Sequence, residues 1–109
     1  MSYSVTIQPD AAVELDEIYA YVAHHLRNPL AAARLVGRLE DAILSLGEMP
    51  YRAPLSRDPR FAIQGVRTMS VEKHMIYYIV DDVIQEVSVV HVAHQLRSSD
   101  NLSQRAKIS

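Results

Sequence analysis

Apolar and polar positions alternate over residues 3–8, with Val5 and Ile7 on one face, until Pro9-Asp10 interrupts the alternation. A period of two predicts a short strand. Asp10 then offers a helix cap, and Leu15, Ile18, Val22 and Leu26 recur at the spacing of a single helical stripe. Glu14, Asp16, Glu17 and His24 are expected on the outer face of that helix. Asn28-Pro29 restarts the pattern, because asparagine can accept from the free amides of a first turn and proline suits the first helical position. The second stripe is Ala32, Leu35, Val36, Leu39, Ala42, Ile43 and Leu46, and Gly47 followed by Pro50 supplies the stop. Two helices separated by so short a break pack as a hairpin.

From residue 49 to 64 the periodicity disappears, and Pro50, Pro54 and Pro59 are interleaved with Arg52, Arg57 and Arg60, which predicts a basic loop. Beyond Gly65 come three runs, 66–71, 74–80 and 83–93, separated by Glu72-Lys73 and Asp81-Asp82. Such short polar separators imply antiparallel hairpins. Residues 75–80 are apolar on both faces, as a central strand requires. The order is strand, helical hairpin, basic loop, three-stranded meander. It predicts an α+β domain in which an N-terminal strand and an α-helical hairpin pack on one face of a small antiparallel β-sheet. The opposite face has no helix of its own, and its candidates, Tyr77 or Tyr78 and Val87 or Val89, are apolar enough to suggest a docked partner. A single domain is expected over residues 1–97, with a polar tail over 98–109 that is loosely held or ordered by a partner.

Composition narrows the classes. The 109 residues are 49% hydrophobic and 22% charged, which suits one globular domain with its own core. There are no cysteines, so disulfides, thiolate metal sites and a cysteine nucleophile are excluded, and a reducing cytoplasm is the expected location. No long apolar run predicts a membrane span, and residues 1–10 lack the pattern of a secretion signal. A net charge of −2 gives no global attraction to nucleic acid, so an anionic partner must meet a local patch. Only Gly37, Gly47 and Gly65 are present, too few and too scattered for a phosphate loop, and no serine sits in a nucleophile elbow.

Several local motifs in this order carry a resemblance. Residues 12–19 (AVELDEIY) lead the first helix, 28–33 (NPLAAA) open the second, and 42–52 (AILSLGEMPYR) close it. Residues 65–71 (GVRTMSV), 76–81 (IYYIVD) and 89–97 (VVHVAHQLR) follow as strands ending in a basic residue. In this arrangement the chain resembles the RelE/ParE toxins of type II toxin–antitoxin systems. The resemblance implies a small cytoplasmic toxin that inhibits growth without a cofactor and is neutralised by a cognate antitoxin in a hetero-oligomer. It also implies one of two targets: DNA gyrase for ParE-like members, or the ribosome with its mRNA for RelE-like ones. The family's strand arginine falls on Arg67, and the His-x-x-Arg pattern of ParE-like members falls on His94 and Arg97. The slightly acidic balance and the lack of any tyrosine after Tyr78 depart from the ribosome-dependent pattern and favour the ParE side. A toxin-fold binding module without toxicity remains a third alternative.

The residues themselves set what chemistry is open. Cleaving RNA through its 2′-hydroxyl needs a base, an acid and cations around the phosphate. Under the nuclease alternative the catalytic set is Arg67, Lys73, His94 and Arg97. His91 and His94, three apart on a strand, point to opposite faces and cannot both serve one site. His91, flanked by valines, reads as a packed or partner-facing residue. Anion or partner binding is assigned to Arg52, Arg60, Arg67 and Arg97, with Arg57 as solvated charge. Arg67 either grips a phosphate or an acidic antitoxin side chain, or forms a cross-strand ion pair with Glu86 or Glu72. The adjacent His24-His25 diverge on a helix and no metal site is expected.

Overall fold

The computed structural model describes residues 2–95; the expected tail and Arg97 lie outside the described residues. The elements are β1 (Ser4–Ile7), α1 (Pro9–Ala20), α2 (Pro29–Ser45), α3 (Pro59–Ala62), β2 (Arg67–Val71), β3 (His74–Asp81) and β4 (Glu86–His94). Proline opens each helix at its first turn, where no amide partner is lost. Asn28 caps α2 as its side chain accepts from the Ala31 amide at 3.1 Å. The cap of α1 is Gln8, which gives no side-chain hydrogen bond; Asp10 sits inside the first turn, where its charge complements the helix dipole. α1 does not simply stop. It widens into a π-helical turn over Tyr21–His25. Arg27, at φ 49°, then reverses the chain into α2.

The strand order is β1-β4-β3-β2. β2, β3 and β4 form the expected antiparallel meander, but β1 lies parallel to β4, from Ser4 opposite Glu86 to Ile7 opposite Val89. The sheet is therefore mixed, not wholly antiparallel. Strand alternation in the sequence fixes which residues face inward, not which neighbour a strand chooses, and the helical hairpin is the crossover that parallel pairing demands. The last strand also begins later than residue 83, because residues 82–85 make the β3–β4 turn.

The core lies between the helices and one sheet face. Leu39, Ile43 and Leu46 are fully buried against Ile76, Tyr78, Val87 and Val89. Each such side chain contributes roughly 1.5–3 kcal/mol by leaving water. A smaller cluster of Phe61, Val66, Tyr77 and Ala93 forms separately, with Met75, Ile79 and Val90 around it. Of the residues proposed for an uncovered sheet face, Tyr77 belongs to this second cluster, whereas Tyr78, Val87 and Val89 face the helices. That face is not bare either, since Phe61 from α3 packs on Tyr77 with ring centroids 5.5 Å apart.

Gly47 ends α2 for a reason other than a left-handed cap. Of the three glycines only Gly65 has positive φ, but a Cβ on Gly47 would stand 2.8 Å from the Tyr3 carbonyl oxygen. The Tyr3 amide donates to the Gly47 carbonyl at 2.7 Å, so glycine is what lets the chain entering β1 lie against the end of α2.

Candidate functional site

The basic loop folds back along the outer edge of β2. Leu55 bridges to Arg67, the Ser56 amide donates to the Val66 carbonyl at 2.8 Å, and the Thr68 amide donates to the Pro54 carbonyl at 3.1 Å. The loop thus serves as a partial fifth strand and covers an edge that would otherwise invite another chain. Between loop and sheet lies a groove of about 670 Å³, lined among others by Arg52, Arg57, Ser56, Thr68, Ser70 and Tyr77.

Arg67 is half-buried at the head of this arrangement. Its Nη1 donates to the Ala53 carbonyl at 2.8 Å and its guanidinium lies 4.7 Å from the centre of the Tyr51 ring. The anticipated cross-strand ion pairs are not what it makes; Glu72 is held instead by Arg38 at 3.3 Å. Stacking on an aromatic face and a bond to a carbonyl fix the direction of the guanidinium without neutralising it. Tyr51 is in turn oriented by Asp82, whose carboxylate accepts from Tyr51 at 2.6 Å and from Tyr3 at 2.8 Å. The bond to Asp82, with smaller help from desolvation, pushes the Tyr51 phenol up to about 12, and the same two hydroxyls pull the Asp82 carboxyl below its ordinary range.

The other arginines separate. Arg52 stays exposed beside the groove, donating from Nη1 to Ser45 Oγ at 2.8 Å. Asp58 grips Arg60 bidentately, through Nε at 3.0 Å and Nη2 at 2.7 Å. Asp58 also caps α3, so this pair serves the loop's own geometry. Arg57 remains exposed at the groove wall.

His94 lies at the opposite end of the sheet. It pairs in register with His74, and the two rings meet edge to face at 5.2 Å. Lys73 is next in the β2–β3 turn, where its carbonyl accepts from the Gln95 amide. Sequence reasoning passed over His74, although its place at the start of the central strand was readable. His74 is 8% exposed, and among the described residues its Nδ1 has no hydrogen-bond partner. Burial, and then the nearby His94, hold its pKa below the usual histidine value, with Glu72 acting the other way. The folded state therefore resists protonating His74 more than the unfolded chain does. That contribution to stability is fully present above the unfolded value of about 6.5 and is lost as pH falls through it toward the lower folded value. Urea midpoints at pH 7.5 and pH 5.5 should show the loss, and His74→Asn should flatten the difference between them.

His91 does face away from His94, as alternation required, but its partner was not foreseen. A bulge between Tyr77 and Tyr78 places Tyr77 opposite His91 and Tyr78 opposite Val89, so Val90 has no counterpart. His91 Nδ1 lies 3.2 Å from Glu14 Oε1, and the same oxygen accepts from the Val92 amide at 3.0 Å. Glu14, expected on the outer face of α1, is 2% exposed. The reason is topological: β1 ends opposite Val89, and past that point the edge of β4 needs an acceptor from elsewhere. His91 is thus a structural residue. Among the described residues no group of three or more His, Asp or Glu side chains is placed to hold a metal ion. No helix among them is long and apolar enough to cross a membrane.

A family model described as the ParE toxin of the type II toxin-antitoxin system parDE matches residues 5–98. The chain belongs to the ParE toxin family. The ParE fold is also seen in its solved neighbours. A chain from the chromosomal ParDE toxin–antitoxin system of P. aeruginosa superposes with a TM-score of 0.70 at 22% identity, covering 85% of this chain and 96% of that one. One from the RelBE2 toxin–antitoxin complex of Mycobacterium tuberculosis gives 0.65 at 20% identity, covering 86% and 99%. The free E. coli toxin RelE, as an arginine double mutant, gives 0.66 at 15% identity over the whole of both chains. At these identities the likeness is one of fold, shared by ParE and RelE proteins alike. No curated protein sequence matches significantly. Of the arginines singled out in the sequence of this ParE-family toxin, Arg52 lines the groove and Arg67 lies beside Ala53 and Tyr51. Lys73 and His94 lie at the far end, and Arg97 is outside the described residues.

Proposed function

We propose that this ParE-family toxin arrests growth in the cytoplasm by binding DNA gyrase, and that a cognate antitoxin holds it inactive. One observation carries the reading. Arg67 is level with Tyr78 on β3, while His94 is level with His74 on the same strand. At strand spacings they stand about 13 Å apart along the sheet and about 10 Å across it. A phosphate held by Arg67 is out of reach of His94 as acid or base, since general acid–base transfer works at hydrogen-bond distance. Arg67 therefore does not converge with Lys73 and His94 as such a site needs, and recognition by surface contact is the better account. The antitoxin segment suits the groove beside Arg52 and Arg57, with Met49 and Leu55 exposed nearby, and is expected to combine acidic and apolar side chains.

Controlled expression with parallel readout of double-strand DNA breaks and of mRNA cut sites tests the choice. Breaks with intact messages are expected, and His94→Ala should arrest growth as well as the parent. Messages cut in register with codons, and a loss of a hundredfold or more in cleavage on His94→Ala, would establish the ribosome-dependent reaction instead.

A further inference from the structure

The β3–β4 turn is built against local preference. Val83 is 94% exposed and Ile84 61% exposed, at the centre of a turn where Gly, Asn, Asp or Pro would be ordinary. Gln85 takes φ 53°, a left-handed conformation that favours glycine or asparagine. Asp81 and Glu86 stand directly opposite each other at the base of the hairpin, an arrangement that repels.

The turn is nevertheless braced on every side. Asp81 Oδ1 accepts from the Val83 and Ile84 amides at 3.0 and 3.4 Å. Asp82 is held by the hydroxyls of Tyr3 and Tyr51, and the Gln85 carbonyl accepts from the Ser4 amide at 3.0 Å. What these bonds leave in water is the pair of apolar side chains, on a backbone whose path is fixed. Local rules broken together, with the strain supported by neighbouring elements, mark a place kept for function. Rigid presentation also lowers the ordering cost of binding.

We infer that the β3–β4 turn is the element that docks on the toxin's target protein, with Val83 and Ile84 entering an apolar pocket whose rim carries Lys or Arg. The inference rests on the target reading above. The turn itself carries the matching charge: Asp81, Asp82 and Glu86 flank the apolar pair, so a cationic rim completes them. The same carboxylates repel nucleic acid and anionic lipid, which leaves a protein surface as the fitting partner.

The test uses the full chain and Val83→Ser/Ile84→Ser, whose serines suit a turn. Purified gyrase with plasmid DNA reports the toxin concentration giving half-maximal DNA cleavage. The double variant should need at least tenfold more protein, with an unchanged melting midpoint and unchanged binding to the cognate antitoxin. Raising salt should weaken the parent's action, because the rim contacts are charged. Equal potency of variant and parent overturns the inference, as does a variant that fails to bind antitoxin. Phosphatidylglycerol vesicles that bind the parent and not the variant would reassign the turn to a membrane and overturn it too. If the parent leaves gyrase untouched, the gyrase reading fails by itself, and growth arrest by the two proteins decides the turn. Arrest lost in the variant upholds it; equal arrest, or none from either, overturns it.

Discussion

Glu14→Ala should lower the free energy of unfolding by about 3 kcal/mol, because it orphans two buried donors at once. The Val92 amide and the His91 ring nitrogen both meet Glu14 Oε1, and both His91 and Glu14 are nearly sealed from solvent. For a domain of this size that is a fall on the order of 10–20 °C in the melting midpoint. Glu14→Gln keeps an oxygen for the Val92 amide and should cost about 1 kcal/mol. Thermal unfolding followed by circular dichroism separates the two. A loss below about 1 kcal/mol for the alanine would mean that water reaches the β4 edge and replaces the carboxyl.

Tyr78→Ala should be as damaging, at about 3–5 kcal/mol, whereas Tyr78→Phe should be neutral or slightly stabilising. Tyr78 is fully buried in the helix-side cluster, so alanine leaves a cavity the width of a ring. Its hydroxyl is buried and makes no well-formed hydrogen bond, so removing only the oxygen takes away a polar burden. Burial raises the phenol's pKa, while the Ala53 backbone and the guanidiniums of Arg67 and Arg52 act in the opposite direction. Chemical denaturation of the two variants measures the contrast. Because Tyr78 lies opposite Arg67 in the sheet, the alanine variant should also loosen the seat of Arg67.

Much of this architecture is legible in the chain because it is written in short periods. The stripe Leu39, Ile43, Leu46 and the alternation at Val87 and Val89 each report one element facing one core, and all five are fully buried. Asn28 was readable for a similar reason, since a cap acts within three residues. What was hidden depends on partners far along the chain. Glu14 looks like a solvent-facing carboxylate until β4 brings two donors to it from 77 and 78 positions away. Parallel pairing of β1 with β4 has no local signal at all. The candidate site divides the same way: Arg67 was singled out from its strand position, but its seat on Tyr51 and Ala53 is set by the loop. The neutralisation of Arg60 by Asp58 lay only two residues off and was missed.

The pairing of the first strand with the last also fixes when this protein can act. Among the described residues β1 pairs with β4 alone, and β4 also supplies the donors that seat Glu14. On the ribosome β1 emerges before β4 and must wait for it before it can add to a sheet. Such non-local closure delays folding until β4 has been made. A message broken before codon 86 yields a polypeptide without the strand that closes the fold, so premature termination disarms the toxin by topology alone.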